Sequence, residues 1–598
     1  MKSKRTALLA LQLALLFALT GRVGAQWQTQ SVLVKPGWSA IYLFVDASYT
    51  NLDTLVGSDP KNPIAEIWLW QPTVSSVQFV NNPLAPITGG SQWANWERLN
   101  TGLSGTMTKL APNCAYLVHS LATTNYTWNL KGQPAAPNYY WNATAINLIG
   151  FPTVTNNPPA LDTFLAPAPS FAGVATIYQY NGGDLSGINP SMVFAPHGTK
   201  VNRGTAFWIN ETNFVNSYFG PFQVQVPSGG TTFGTGSGSA SIRLVNTTPA
   251  SVTVRLTLQP SETPPAGQTP IAGLPPIVVR GALNASNVTY TATALSSTTP
   301  MSWTLAPQGQ AGSDIGVILG VNRGLLTNAP GALYAGILRF TDAQNLTEVD
   351  VPASAQPASY AGLWVGGASV SQVSQYLKTY QTNSDGSMAQ QTNGAYVVTG
   401  IQTNLGTTAS AFPMRLILHN DGTNVNLLQR VFYGLDINSN PVVATAESAL
   451  DPAQLGSARR ISSVEFPWTP TNRTWQFSGG TLAPGATISN TITVNYDDQS
   501  TNPFLHTYHP DHDNLDSTFQ TQLPIGSESY QIDRLLTLSL VPPGNDFISL
   551  VTYGQSFNGA YSERITMTGI GFATRVFNVA GGFTMNRLSS IAQLTRPQ

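Results

Sequence analysis

Along most of this chain apolar and polar residues alternate one for one in short runs, and Gly, Pro, Asn and Asp interrupt them every few residues. Residues 31–34, 241–245, 251–258 and 487–494 all read this way. Successive side chains of an extended strand point to opposite faces, so such a run buries one face and wets the other. The intervening residues supply the reversals that antiparallel neighbours need. The expected fold is therefore all-β, mainly antiparallel and multi-domain, with few short helices. Helical spacing is confined to residues 368–380, through Val370, Val373 and Leu377, and to segments near 52–56 and 161–165.

Charged residues make up only 9% of the chain, while 42% are hydrophobic and 10% aromatic. The low charge alone would suit a disordered polymer, but the apolar share supplies the core that disordered chains lack. The first 25 residues read as a signal peptide: Lys2, Lys4 and Arg5, then an apolar run from Ala7 to Thr20, then small residues at Val23 and Ala25. Cleavage before Gln26 is expected, because the apolar run is shorter than the roughly 18–20 residues that span a bilayer. No later run approaches that length. Removing the leader takes four basic residues and no acidic one, leaving a net charge of −5. Neither sign clusters strongly, which argues against nucleic acid or an anionic membrane as partner. Cys114 is the single cysteine, so no intramolecular disulfide can form. A secreted eukaryotic chain of this size would usually carry several, which points to a bacterial host and to Cys114 as a small buried side chain.

The same elements recur in the same order about 100 residues apart in the N-terminal third. Gly37-Trp-Ser-Ala-Ile-Tyr-Leu-Phe44, Asn51-Leu-Asp-Thr-Leu55 and Ile67-Trp-Leu-Trp70 are echoed by Ala145-Ile-Asn-Leu-Ile-Gly-Phe-Pro152, Ala160-Leu-Asp-Thr-Phe164 and Ile177-Tyr-Gln-Tyr180. This is the pattern of a duplicated module, since solenoid repeats are shorter. The expected organisation is a leader at 1–25, module copies at 26–133 and 134–228, an immunoglobulin-like sandwich at 229–352 and a C-terminal β domain at 353–598. A Gly/Ser/Thr-rich stretch at 228–238 reads as a flexible linker. Asp421-Gly422, between two apolar runs, reads as a hairpin turn. The chain lacks the recurring ten-residue lipid-facing pattern of an outer-membrane barrel.

The paired modules resemble the "GWNLIGFP" units of large modular exported proteins of planctomycete-like and verrucomicrobial-like bacteria. Gly362-Leu-Trp-Val-Gly366, Met414-Arg-Leu-Ile-Leu-His-Asn-Asp-Gly422 and Tyr508-His-Pro-Asp-His-Asp-Asn-Leu-Asp516 resemble the C-terminal module of such proteins. Ser39 and Ala40 depart from the first pattern. The resemblance implies export and modularity and leaves the chemistry open.

No Gly-x-Ser-x-Gly, His-Glu-x-x-His or Gly-Lys-Ser/Thr signature occurs, and six histidines leave little equipment for proton transfer. Three of the six, His506, His509 and His512, fall within seven residues, interleaved with Asp511, Asp513 and Asp516. Imidazole and carboxylate together are the ligand set of zinc, and the carboxylates alone could hold calcium. An Asp-capped polar loop explains the same residues without a metal. Trp93 and Trp96, in the polar stretch Gly89-Gly-Ser-Gln-Trp-Ala-Asn-Trp96, are candidates for stacking on a sugar ring, whereas strand-borne Trp68 and Phe207 read as core. The expected function is a non-catalytic structural or adhesive protein of the cell envelope or exterior, whose partners would be a cell-surface polymer or other envelope proteins. The alternatives are an extracellular polysaccharide-binding protein and a metal-dependent hydrolase using residues 497–516.

Overall fold

The computed structural model describes residues 26–596 apart from 72–79, 99–104, 142–145, 169–174, 187–188, 211–217, 229, 237, 464–473, 478–481, 496–497, 499–501, 503, 505–529 and 570–573. The leader lies outside the described residues. The chain forms two compact units. One runs up to Pro357 and takes in Asp546–Val551; the other is Ala358–Asn545 with Thr552–Gln598. Both are built from mainly antiparallel sheets, with one parallel strand pair in each, Ile271–Gly273 with Leu333–Asp342 and Pro441–Ala444 with Leu594–Thr595.

The first unit opens with β1 (Gln28–Val34), β2 (Gly37–Tyr42) and a short β3 (Val45–Asp46) and makes one helical turn at Asp53–Gly57. It continues through β4 (Ile64–Trp70), β5 (Trp93–Glu97), β6 (Ala115–Ser120) and β7 (Tyr126–Pro134). Then follow β8 (Ile146–Gly150), helix α1 (Leu161–Leu165), β9 (Thr176–Gln179), β10 (Ser191–Met192) and β11 (Ala206–Asn210). The two four-stranded sheets run β2-β6-β4-β5 and β8-β11-β9-β10. In each, the fourth strand in sequence lies between the first and second, and a helical turn precedes the second strand.

The first of these sheets is buried on both faces, so its strands alternate between two cores instead of between core and water. Trp38, Ala40, Tyr42, Trp68, Trp70 and Trp93 join one cluster with residues of the second sheet. Ile41, Ile67, Ala94, Trp96, Tyr116 and Val118 join the other, with Val32 and Trp128 from β1 and β7. The helical turns stand where helical spacing was read near 52–56 and 161–165.

A sandwich follows, made of β12 (Phe222–Gln225), β13 (Ser239–Asn246), β14 (Val252–Pro260), β15 (Ile271–Gly273), β16 (Ile277–Asn284) and β17 (Thr289–Ala294). It is completed by β18 (Met301–Leu305), β19 (Asp314–Val321), β20 (Leu333–Asp342) and β21 (Glu348–Ala355). One sheet is β12-β13-β19-β16-β17; the other is β15-β20-β14-β18, with β21 paired to β20. Their inner residues, among them Phe222, Ile242, Leu256, Leu319, Phe340 and Val351, close one core. Strand β12 therefore pairs into the sandwich, although its sequence was read as closing the second module. Alternation shows that Phe222 and Val224 share a face but not which sheet receives it. The stretch read as a free linker is docked in its middle. Phe233 N–H donates to Ser354 O at 2.8 Å, and the Arg323 guanidinium caps the carbonyls of Phe233 and Gly234. Composition gave the absence of a core-forming pattern there and missed those main-chain partners.

The second unit holds β22 (Gly362–Tyr380), β23 (Val398–Asn420), β24 (Val425–Leu428), β25 (Arg430–Leu435), β26 (Pro441–Ala444) and β27 (Arg459–Ser462). It ends with β28 (Thr474–Gln476), β29 (Thr487–Val494), β30 (Gln531–Leu540), β31 (Ser556–Thr568), β32 (Arg575–Ser589) and β33 (Leu594–Thr595). Eight of these form one sheet, β28-β24-β23-β22-β32-β31-β30-β29, and the other four form β27-β25-β26-β33. Trp364, Leu416, Leu538, Tyr561 and Phe583 fill the core inside the large sheet. Leu363 and Ile417, on its other face, pack with Val431 and Val443 of the small one. The Asp421-Gly422 turn joins β23 to β24, with Gly422 at φ 99° and Asn420 opposite Val425.

Residues 368–380, read as a helix, lie within β22. The register of β22 slips between Val370 and Gln372 against both neighbours, which leaves Ser371 as a bulge. The extra residue puts Val370 and Val373, three apart, on the same core-facing side. A bulged strand thereby imitates the spacing of a helix. No helix among the described residues is long and apolar enough to cross a membrane.

Candidate functional site

A half-open groove of about 800 Å³ lies in the first unit, between the segment after β8 and the β20–β21 turn. That volume is in the range of small-molecule sites. One wall is residues 154–160, where Asn157 takes φ 55°. The other is the turn carrying Gln344 and Asn345, the latter also at φ 55°. Asn is among the few residues that occupy this left-handed region readily.

The turn is built around Asp342. Its carboxylate, 2% exposed, accepts from the backbone N–H groups of Gln344, Leu346 and Thr347 at 2.9, 2.9 and 2.7 Å. Leu346 is thereby directed into the module core. The walls meet at their base, where Thr153 bridges Thr347 and Glu348 N–H donates to Pro152 O at 2.7 Å.

Gln28, Arg339 and Glu348 line the groove's inner surface, and Asp350 and Arg203 form a buried charge network with them. Glu348 and Asp350, two apart on β21, share a face. Asp350 is fully engaged. Arg339 reaches its two oxygens from Nε at 2.8 Å and Nη2 at 3.1 Å, Gln28 Nε2 donates at 2.8 Å, and Arg203 Nη2 lies 3.5 Å away. Burial opposes its ionisation, but the charges of Arg203 and Arg339 outweigh burial and hold its carboxyl below the usual range. Glu348 has the opposite balance. Burial and then the neighbouring Asp350 charge push its carboxyl up, although Arg339 Nη2 stands 3.4 Å off and Arg203 Nη1 4.0 Å off. The Glu348 carboxylate accepts no hydrogen bond from another described residue. At the rim His197 Nδ1 pairs with Asp162 Oδ2 at 2.9 Å, and this hydrogen bond lowers the Asp162 carboxyl.

This arrangement suits binding better than bond cleavage. Of two adjacent carboxylates, one is sealed under two guanidinium groups and cannot reach a substrate. The other is held by charge alone, 3.4 Å from Arg339, and keeps hydrogen-bonding capacity.

Trp93 and Trp96 do not form the exposed stacking pair expected of them. They are 6% and 2% exposed. Trp93 stands opposite Trp70 with ring centroids 5.2 Å apart and also contacts Trp208. Trp96, on the other face of β5, donates its indole N–H to Asp53 at 2.8 Å. The Gly-rich residues before Trp93 form a turn, and the strand that follows is covered on both faces. Trp68 and Phe207 are core, as read. Cys114 is half-buried, and burial pushes its thiol up, away from a reactive thiolate. The metal candidates His506, His509, Asp511, His512, Asp513 and Asp516 lie outside the described residues. Among the described residues no group of three or more His, Cys, Asp or Glu side chains is placed to share an ion.

Reading the sequence for motifs missed the groove. Its one local signal is Thr347-Glu-Val-Asp-Val351, two acids alternating with apolar residues in a chain where charge is scarce.

No family model matches the chain, and no curated protein matches it. Among solved structures, a Bacteroides ovatus protein of unknown function from a structural-genomics effort is similar over 61% of this chain and 95% of its own, at 9% identity and a TM-score of 0.15.

Proposed function

We propose that this chain is an exported, non-catalytic structural or adhesive protein of the bacterial cell envelope or exterior. The observation that carries the reading is how the first unit spends its few charges. Arg203 of the second module is tied to Asp350 of the sandwich, and Gln28 of the first module is tied to the same carboxylate. Thr29 and Lys131 of the first module hold Glu262 of the sandwich. Ionic groups used as fasteners between sheets suit a load-bearing or presenting scaffold. The shared strand order of the two module sheets supports reading them as copies of one unit, and the leader supports export.

The test is fractionation of cells that make the full chain. Protein beginning at Gln26 in the envelope or culture fluid is expected, without turnover of esters, glycans or peptides. Metal-dependent turnover would favour the hydrolase reading, with the His506–His512 cluster as its centre. Elemental analysis, and melting with and without EDTA, separate a zinc or calcium site there from an Asp-capped loop. A second reading, polysaccharide binding, is favoured by the groove.

A further inference from the structure

The groove's chemistry narrows what it can hold. Its polar lining is mainly amide and hydroxyl, with Asn156, Asn157, Gln344 and Asn345 on facing walls, and its charged groups are Glu348, Lys200 and Arg339. A side-chain amide both donates and accepts, as a sugar hydroxyl does, so each amide can satisfy a hydroxyl in either role. Glu348, ion-paired with Arg339 at 3.4 Å but without a hydrogen bond from another described residue, adds an acceptor beside that guanidinium. A carboxylate beside a guanidinium matches vicinal hydroxyls, one donating and the next accepting. Pro158, half-buried, offers apolar surface for the C–H face of a ring. An apolar ligand would leave these polar groups unpaired, which costs binding energy. Among the described residues of the lining, Lys200 is a single free-standing cation and Arg339 is already committed to Asp350, too little positive charge to select a polyanion.

We infer that the groove between residues 154–160 and the Gln344–Asn345 turn binds a segment of a neutral polysaccharide, with Glu348 on its floor accepting hydrogen bonds from sugar hydroxyls. This rests on the polysaccharide-binding reading and gives it a site and a ligand class. The site is separate from Trp93 and Trp96. Glu348 has a further mark of a binding residue: a carboxylate held against burial and a like charge, with no hydrogen bond inside the described fold, is what a site keeps for an incoming donor.

The test is affinity electrophoresis of the full mature chain in gels containing mixed-linkage β-glucan, xylan, mannan or dextran, with dextran sulfate and a casein digest as contrasts. At least one neutral polysaccharide should retard the protein. The double variant Asn156→Ala/Gln344→Ala removes two exposed groove amides and should weaken retardation at least tenfold while leaving the melting temperature unchanged. Glu348→Gln, whose amide keeps one acceptor, should weaken it less. Three results overturn the inference: no retardation by any neutral polymer, equal retardation of wild type and double variant, or preference for dextran sulfate or peptide. Retention of the wild-type chain by cells without retardation in any neutral gel would sink this inference and leave the adhesive reading standing.

Discussion

Arg203→Ala should be among the most damaging single substitutions in the first unit. The side chain is 9% exposed and serves three polar partners and one ring. Its Nη1 donates to Thr153 O at 3.1 Å and Glu348 O at 2.6 Å, its Nη2 faces Asp350 at 3.5 Å, and its Cζ stands 4.8 Å from the Phe44 ring centroid. Stripping one partner from a buried ion pair costs about 3–5 kcal/mol. Each charged hydrogen bond lost costs roughly 1.5–3 kcal/mol. These losses are not additive, and Asp350 keeps Arg339 and Gln28, so a total of about 4 kcal/mol is expected. For a unit of this size that is a fall of about 6 °C in melting temperature. Calorimetry of the full chain would follow the transition, and acid unfolding supplies a second readout. Asp350 is held below its ordinary value of 3.8, so its stabilising contribution is complete above that pH and lost as pH falls through the lower folded value. Without Arg203 the folded value rises toward 3.8, so that contribution shrinks and its loss is complete at a higher pH. A destabilisation under about 1 kcal/mol with an unmoved acid limb would show that Arg203 does not fasten the modules.

Glu348→Gln tests the opposite sign. Because the folded carboxyl is raised above 4.5, the native state binds more protons there, and stability falls as pH rises through that window. The variant should therefore melt no lower than wild type at pH 7.5, and a large loss would contradict the assignment. Trp93→Ala should cost about 3–5 kcal/mol through the cavity left against Trp70 and Trp208, without altering polysaccharide retardation. In the second unit His419 is fully buried, and burial lowers its imidazole below 6.5. Stability should fall as pH drops below 6.5, because the unfolded chain protonates first, and His419→Gln should flatten that slope in thermal melts at pH 7.5, 6.5 and 5.5.

The sheets were legible because alternation is imposed by strand geometry itself. Residues 487–494 were read as a strand, and β29 has those bounds. The errors arose where a second rule overrode the period of two. At Ser371 a bulge shifted the phase and made a strand look helical. At Trp93–Glu97 the alternation was absent because both faces are covered, so polar neighbours suggested exposure that the packing denies. Asn95, within that strand, is 7% exposed and donates to Glu97 at 2.8 Å, a polar residue satisfied inside the structure. Polarity in a strand signals a satisfied partner as readily as it signals water.

The groove was less legible because its parts are far apart in the chain. Gln28 of β1, Arg203 of the turn before β11 and Asp350 of β21 meet only when the parts carrying them have packed, and each alone is an ordinary polar residue. A local motif can be read when its chemistry is fixed by spacing along one element. This site is fixed by the juncture of several, and scarcity is the one property that crosses that gap. In a chain with 9% charged residues, a buried cluster of two acids and two arginines is concentrated well beyond its surroundings. Both arginines face both acids: Arg339 Nη2 stands 3.4 Å and Arg203 Nη1 4.0 Å from the Glu348 carboxylate, besides their contacts with Asp350. Glu348 is the acid that the arginines hold by charge alone, without a hydrogen bond from another described residue. Its place in the groove lining is the reason to look for a ligand there and not among the tryptophans.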